Sequence, residues 1–200
     1  KRRTRAATQE VHPHLAYLQA IREALPRDGY FVEEICQAGF SSYFGFPVYE
    51  PRHFVTCGYQ GTLGFGYPTA LGVKVAQPDK AVVAIAGDGG FMFGVQELAT
   101  AVQHGINVVA VVFDNGAFGN VMRDQKQRFD GRVIGAQLRN PDFVKLAESF
   151  GMTGLRARTP AELGTQLARA LELDRPVLIH VPVERTAEVS PWKYLMPASY

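Results

Sequence analysis

Residues 81–86 (Ala-Val-Val-Ala-Ile-Ala) and 107–113 (Asn-Val-Val-Ala-Val-Val-Phe) contain almost no polar side chain. Runs this apolar and β-branched belong to strands buried on both faces, the position of a central strand in a parallel sheet sandwiched by helices. A parallel pair needs a crossover, and the intervening stretch supplies one. Val95, Leu98, Ala99 and Val102 recur at helical spacing, and Gly105 stands where a helix C-cap calls for a left-handed residue. Strand, glycine turn, helix and strand together make a βαβ unit, which commits the chain to a layered α/β fold.

The remaining patterns extend that unit. Leu15, Leu18, Ile21 and Leu25 mark one face of a helix over 12–25, stopped by Pro26 and Gly29. Residues 30–35 and 53–57 read as short strands, joined by a Gly/Ser/Phe/Pro-rich connection (39–51) with room for a short helical turn. Residues 61–66 form a glycine-rich loop, and 67–76 a helix ended by Pro78. Further helices are expected over 117–129, 142–150 (behind an Asn140-Pro141 start signal) and 161–173, with strands over 154–157 and 177–183. The alternation predicts a three-layer, open, mostly parallel sheet with helices on both faces. Residues 1–10 read as a basic leader or linker, 11–183 as one domain, and 184–200 as an irregular C-terminal arm.

Charge excludes one class of function. Four of the 21 Lys and Arg side chains are Lys1, Arg2, Arg3 and Arg5; the other 17 face 19 acidic ones, so the body is no basic nucleic-acid surface. No apolar run approaches the roughly 18 residues of a membrane span. Cys36 and Cys57 have neither the number nor the spacing of a disulfide scaffold or zinc site, and are expected to be buried, inert thiols in a reducing cytoplasm. No apolar segment follows the basic start as in a secretory leader. The chain does not open with Met, which is expected of a piece of something longer.

Parallel sheets bind ligands beyond the carboxyl ends of their strands, here Gly87-Asp88-Gly89-Gly90 and Asp114-Asn115-Gly116-Ala117. Small residues opening a helix offer backbone N–H groups to an anion such as phosphate, and a carboxylate among them calls for a cation as well. Asp88 and Asn115, from neighbouring strand tips, offer one charged and one neutral oxygen, a pair suited to Mg²⁺ that also holds phosphate. Two familiar nucleotide motifs fail. A dinucleotide fingerprint starting at Gly87 would need glycine at Met92, and a P-loop over 89–94 would need Lys-Ser/Thr where Val95-Gln96 stand. The plain alternative is that Asp88 caps a helix and Asn115 shapes an Asn-Gly turn.

Gly87-Asp88-Gly89, with Asp114-Asn115 following 25 positions after Gly89, resembles the cofactor motif of thiamine diphosphate-dependent enzymes. The resemblance is to the C-terminal, diphosphate-binding domain of the group that includes acetohydroxyacid synthase, benzoylformate decarboxylase and pyruvate decarboxylase. It implies that Asp88, the Asn115 side chain and the Ala117 carbonyl bind Mg²⁺. It further implies that Gly87, Gly89, Gly90 and Gly119 border the diphosphate, with glycine at 90 where many relatives carry serine. Gly61 and Leu63 fall in the family's glycine-rich loop, Leu63 as the apolar wedge between the cofactor rings; the alternative is an ordinary core leucine. Gln37 keeps an amide found in a diphosphate-touching turn, although Cys36 and Ala38 depart from that pattern. Asn120, Val121, Met122 and Asp124 lie where relatives line a substrate pocket, and the Gln-Trp pair of acetohydroxyacid synthases is absent.

The resemblance places no catalytic residue in this chain. The activating glutamate belongs to a separate N-terminal pyrimidine-binding domain or subunit, the expected partner, and the substrate class is a 2-oxo acid or related acyl donor. A homo-oligomer without nucleic-acid or membrane partners is expected. The competing expectation is a non-catalytic α/β binding or regulatory module that keeps the turn. An apolar surface is expected around 61–65 and 91–104, paired with another copy or covered by the tail at 192–200. His12 and His14 read as a solvated helix start, His104 as a helix end, and His180 as a residue of an apolar strand.

Overall fold

The computed structural model describes residues 10–196, so nearly all of the expected basic leader and the last four residues of the arm lie outside it. Six strands form one parallel sheet in the order β2-β1-β3-β4-β6-β5. They are β1 (Tyr30–Val32), β2 (Phe54–Val55), β3 (Val82–Gly87), β4 (Val109–Asp114), β5 (Thr153–Arg156) and β6 (Val177–Pro182). The sheet is wholly parallel; the antiparallel pairing Ala117–Gln137 is an isolated bridge outside it.

Alternation along β3 and β4 explains the three layers. Val83, Ile85, Val109, Val111 and Phe113 face one way, into a core shared with α1 (His14–Ala24) and α8 (Pro160–Glu172). Val82, Ala84, Ala86, Val108, Ala110 and Val112 face the other, against α3 (Gly66–Ala76), α5 (Glu97–His104) and α7 (Phe143–Ser149). With both faces buried, the strands carry polar groups only at their tips. Local signals end the helices as expected: Gly105 is left-handed (φ 60°) with its N–H on Ala101 and Val102 carbonyls, and the Thr159 hydroxyl accepts from Glu162 N. Among the described residues no helix is long and apolar enough to cross a membrane.

Two stretches differ from expectation. Strands 30–35 and 53–57 are shorter than their apolar patterns, and the supposed loop after the first opens with a full nine-residue helix, α2 (Gln37–Gly45). Its two glycines and two serines hide it in the sequence, and tertiary contacts account for them. A Cβ on Gly39 would lie 2.1 Å from the Glu34 carbonyl oxygen, and one on Gly45 2.2 Å from Leu15 of α1. The Ser41 and Ser42 hydroxyls donate back to the carbonyls of Gln37 and Gly39, and Cys36 Sγ accepts from Gly39 N as the helix cap. The arm is also more regular than expected, with a 3₁₀ turn (Arg185–Ala187) and a short helix α9 (Trp192–Leu195). The short α4 (Asp88–Phe91) directly follows β3, α6 (Gly119–Arg128) follows the 115–118 turn after β4, and a 3₁₀ turn (Gly58–Gln60) completes the list.

Ile85 is fully buried three residues before Asp88. Ile85→Ala is expected to cost about 2–5 kcal/mol in urea unfolding, the range for a large-to-small change in a close-packed core.

Candidate functional site

Gln37, Gly61, Leu63, Gly87, Asp88, Gly89, Gly90, Asn115, Ala117 and Gly119 all line one cleft at the carboxyl ends of β1, β3 and β4. The sheet order reverses between β1 and β3, which opens a crevice there. Its volume of about 200 Å³ is below the roughly 300–1,000 Å³ of complete small-molecule sites.

Asp88 is 2% exposed. Pairing of Gly87 with Phe113 across β3 and β4 brings it beside Asp114, and Asn140 links the two. The amide nitrogen of Asn140 donates to Asp88 Oδ2 at 2.6 Å and to Asp114 Oδ1 at 2.7 Å. Asp114 also accepts from Gly116 N (3.0 Å) and lies 3.0 Å from His180 Nε2. Arg156 Nε donates to His180 Nδ1 at 3.3 Å, so the ring presents Nε2–H to Asp114. The two carboxyls diverge accordingly. Burial, with the charge of Asp114 alongside, pushes Asp88 up to about 6 against the pull of Asn140. Burial acts on Asp114 too, but hydrogen bonds from His180, Asn140 and Gly116 outweigh it and hold that carboxyl below its usual range.

The glycine-rich loop is tied to the same wall by Glu34, which the sequence reading passed over. Its side chain is fully buried and accepts from Gly66 N at 2.8 Å and Gly64 N at 3.2 Å. Burial pushes this carboxyl up to about 6 despite those bonds. A Cβ on Gly90 would lie 1.8 Å from Glu34 Oε1 and 3.3 Å from Leu63 Cδ2. A side chain at 90 would therefore displace the Glu34 carboxylate from its bonds to Gly64 and Gly66. Leu63 is half-buried and belongs to neither core cluster, which removes the core-leucine reading.

On the opposite side the arm folds onto the cleft. Glu188 Oε2 accepts from Asn115 Nδ2 at 2.7 Å, which turns the amide so that Oδ1 accepts from Ala117 N at 3.1 Å. Arg185 donates to the backbone carbonyls of Asn115 and Gly116, and Trp192 Nε1 donates to Asn120 Oδ1 at 2.7 Å. The described part of the arm, to Met196, thus packs against the 115–120 segment and, through Trp192, on Phe40 (4.9 Å between rings). Met92 and Phe93 remain exposed beside the glycine-rich loop.

Several other readings are corrected. His14 is not solvated but 0% exposed, with Nε2 3.1 Å from Glu188 Oε1 in the cleft wall. Asn120 and Val121 line the cleft, whereas Met122 packs with Ala117 and Ala136 and Asp124 pairs with Arg128 outside it. Cys36 and Cys57 are half-buried, Cys36 packing against the core shared with α1 and α8, and burial raises both thiols. Asn140 does not start α7; Asp142 caps it by accepting from Val144 N and Lys145 N.

Among the described residues no three His, Cys, Asp or Glu side chains converge on a metal position. Asp88, Asn115 and Ala117 nevertheless line the same cleft, and a carboxylate, an amide oxygen and a backbone carbonyl are the kinds of hard-oxygen donor that Mg²⁺ prefers.

Residues 36–181 match the family described as thiamine pyrophosphate enzyme, C-terminal TPP binding domain. The chain belongs to this family. Curated relatives include the acetolactate synthase large subunit of Haemophilus influenzae, 36% identical over 176 residues, covering 87% of this chain and 31% of the relative. The Escherichia coli isozyme 3 large subunit is 35% identical over 190 residues, covering 91% of this chain and 33% of that protein. Among solved structures, the thiamine diphosphate-dependent 4-hydroxybenzoylformate decarboxylase of Rhodococcus jostii superposes with a TM-score of 0.79 at 29% identity, covering 86% of this chain and 32% of the other. Benzoylformate decarboxylase from Polynucleobacter necessarius gives a TM-score of 0.78 at 30% identity, over 87% and 33% of the two chains. This chain therefore spans about a third of the length of these proteins.

Glu34 generates two predictions. Between its ordinary pKa of about 4.3 and about 6, the folded chain holds more of this proton than the unfolded chain. Stability from this group therefore falls as pH rises through that window and is level above it, by roughly 2 kcal/mol in all. Urea unfolding from pH 4.5 to 7 should show a shallower fall in Glu34→Gln than in the native chain, the remaining slope coming from Asp88, which is also raised to about 6. Gly90→Ser should cost about 1–3 kcal/mol by overpacking. Glu34→Asp, which shortens the colliding side chain, should recover part of that loss in the double variant.

Proposed function

We propose that the chain is the cofactor-anchoring half of a thiamine diphosphate-dependent enzyme that acts on a 2-oxo acid or related acyl donor, as a decarboxylase or carboligase. The observation that carries the reading is the convergence of four separate segments, at 37, 61–63, 87–90 and 115–119, on one cleft. In this reading Asp88, the Asn115 amide oxygen and the Ala117 carbonyl hold Mg²⁺. Gly89 and Gly90 turn backbone N–H groups to the diphosphate, beside Gln37, Gly61, Gly87 and Gly119, and Leu63 presses on the rings. Bound there, thiamine diphosphate supplies a thiazolium ring that takes up the electron pair of a breaking carbon–carbon bond. A non-catalytic module would have no need of the buried Asp88 carboxylate.

The proposal extends to the assembly. The small cleft, and the exposed Met92 and Phe93 at its rim, suit the docking of a pyrimidine-binding domain or subunit that brings the activating glutamate. The reading includes a cytoplasmic homo-oligomer. The domain division runs 1–10, 11–183 and 184–200, with the arm contributing Glu188 to the cleft.

In the complete assembly, Asp88→Ala is expected to weaken thiamine diphosphate binding by more than about tenfold, through loss of the bridging cation. Metal-independent, unchanged affinity would defeat the reading. Leu63→Ala should lower turnover strongly while costing less in stability than the roughly 2–5 kcal/mol of a core truncation. The 200-residue chain alone should show no turnover of pyruvate or benzoylformate with cofactor and Mg²⁺.

A further inference from the structure

We infer that Asn140 is a positioning residue, which acts through Asp88 to preorganise the divalent-cation site of the cleft. The inference rests on the proposed cation-binding role of Asp88 and adds a residue that lies outside the motif and that the sequence pattern marks only as part of a helix start signal. Asn140 lies 52 positions from Asp88 and 26 from Asp114, yet both hydrogens of its amide nitrogen are accounted for by those two carboxylates, at 2.6 and 2.7 Å.

The geometry gives the two carboxylates different jobs. Asp114 is held from three sides: Gly116 N and Asn140 at Oδ1, and His180 at Oδ2. His180 is itself held by Arg156, whose other end donates to Asp142 Oδ1 at 2.8 Å. This chain of contacts reaches the cleft from β5 and β6, so Asp114 is a fixed point. Asn140 takes its own orientation from that point and passes it to Asp88 through Oδ2. Asp88 lines the cleft and Asp114 does not.

Without the amide, two carboxylates at adjacent strand tips would face each other with nothing between them, and Asp88 would turn away from Asp114. That response leaves the cation without its charged ligand in the right orientation. Groups that orient a metal-binding carboxylate commonly matter about 10–100-fold in metal affinity.

The test uses the full-length protein that carries this domain and reads binding, not turnover. Mn²⁺, as a paramagnetic substitute for Mg²⁺, is titrated with saturating thiamine diphosphate and followed by electron paramagnetic resonance. Cofactor affinity is then measured at saturating Mg²⁺. Asn140→Leu keeps the shape of the side chain and removes the donor; Asn140→Gln keeps the amide. The expected result is a half-saturating Mn²⁺ concentration about tenfold or more higher in Asn140→Leu, partial recovery in Asn140→Gln, and cofactor affinity at saturating Mg²⁺ within about threefold of native, well short of the change in cation requirement. A cation requirement within about threefold of native in Asn140→Leu, or a fall in cofactor affinity as large as the rise in cation requirement, would overturn the inference. Should the leucine variant fail to fold, Asn140→Ala is judged by the same thresholds. Asp88→Ala is run alongside. If it leaves the cation requirement unchanged, the reading of Asp88 as a ligand fails; if it raises the requirement and the Asn140 variants do not, only the role of Asn140 fails.

Discussion

Two like charges at the tips of adjacent buried strands are the constraint around which the cleft is built. Strands in a sheet lie about 4.8 Å apart, so Asp88 and Asp114 cannot both be ionised without donors between and around them. The surrounding side chains meet that demand unequally. Asp114 collects His180, Asn140 and Gly116 and is held below its usual range, while Asp88 has Asn140 and is raised. The structure thereby spends one carboxylate on order and keeps the other within the cleft. The arrangement follows from the apolar faces of β3 and β4, which leave polar residues no place but the tips.

The βαβ unit was legible because its signals are local. Two uninterrupted apolar runs, a helical stripe and Gly105 each report their own environment, and the parallel order of β3 and β4 follows from the crossover between them. The ten site residues were legible through a motif, since each lies close in sequence to a strand tip or a glycine loop. Asn140, Glu34 and His14 were not. Each is defined by a partner between 30 and 174 residues away: Gly64 for Glu34, Asp88 for Asn140 and Glu188 for His14. Nothing in the neighbouring residues marks a buried histidine at a helix start or an asparagine that ignores the helix behind it. Helix α2 was missed for a related reason, since its glycines answer to Glu34 and Leu15 and lower the very propensity by which helices are recognised.

The C-terminal arm shows how far such non-local definition extends. Arg185 grips the carbonyls of Asn115 and Gly116, where Gly116 sits at φ 66°. A Cβ there would be strained by the backbone and would approach Arg185 to 3.1 Å. The turn that presents Asn115 is thus braced from outside by a residue 70 positions later. Glu188 completes the brace, because a carboxylate can only accept and so obliges Asn115 to turn its amide nitrogen toward it. Residues that read as an irregular tail determine which atom of Asn115 is available in the cleft.

What the cleft lacks is as informative as what it holds, within the described residues. Its titratable side chains are His14, Cys36, Asp88 and Glu188. His14 and Glu188 lie against each other, and Glu188 also accepts from Asn115. Burial pushes the Cys36 thiol out of reach of neutral pH, while its sulfur accepts from Gly39 N. Asp88 is tied to Asn140. A general acid or base has to approach the reacting group and change its protonation during the reaction, whereas Cys36, Asp88 and Glu188 are each already bonded to a neighbour that fixes their place. The wall built by this chain holds the Asp88 carboxylate in place at its strand tip.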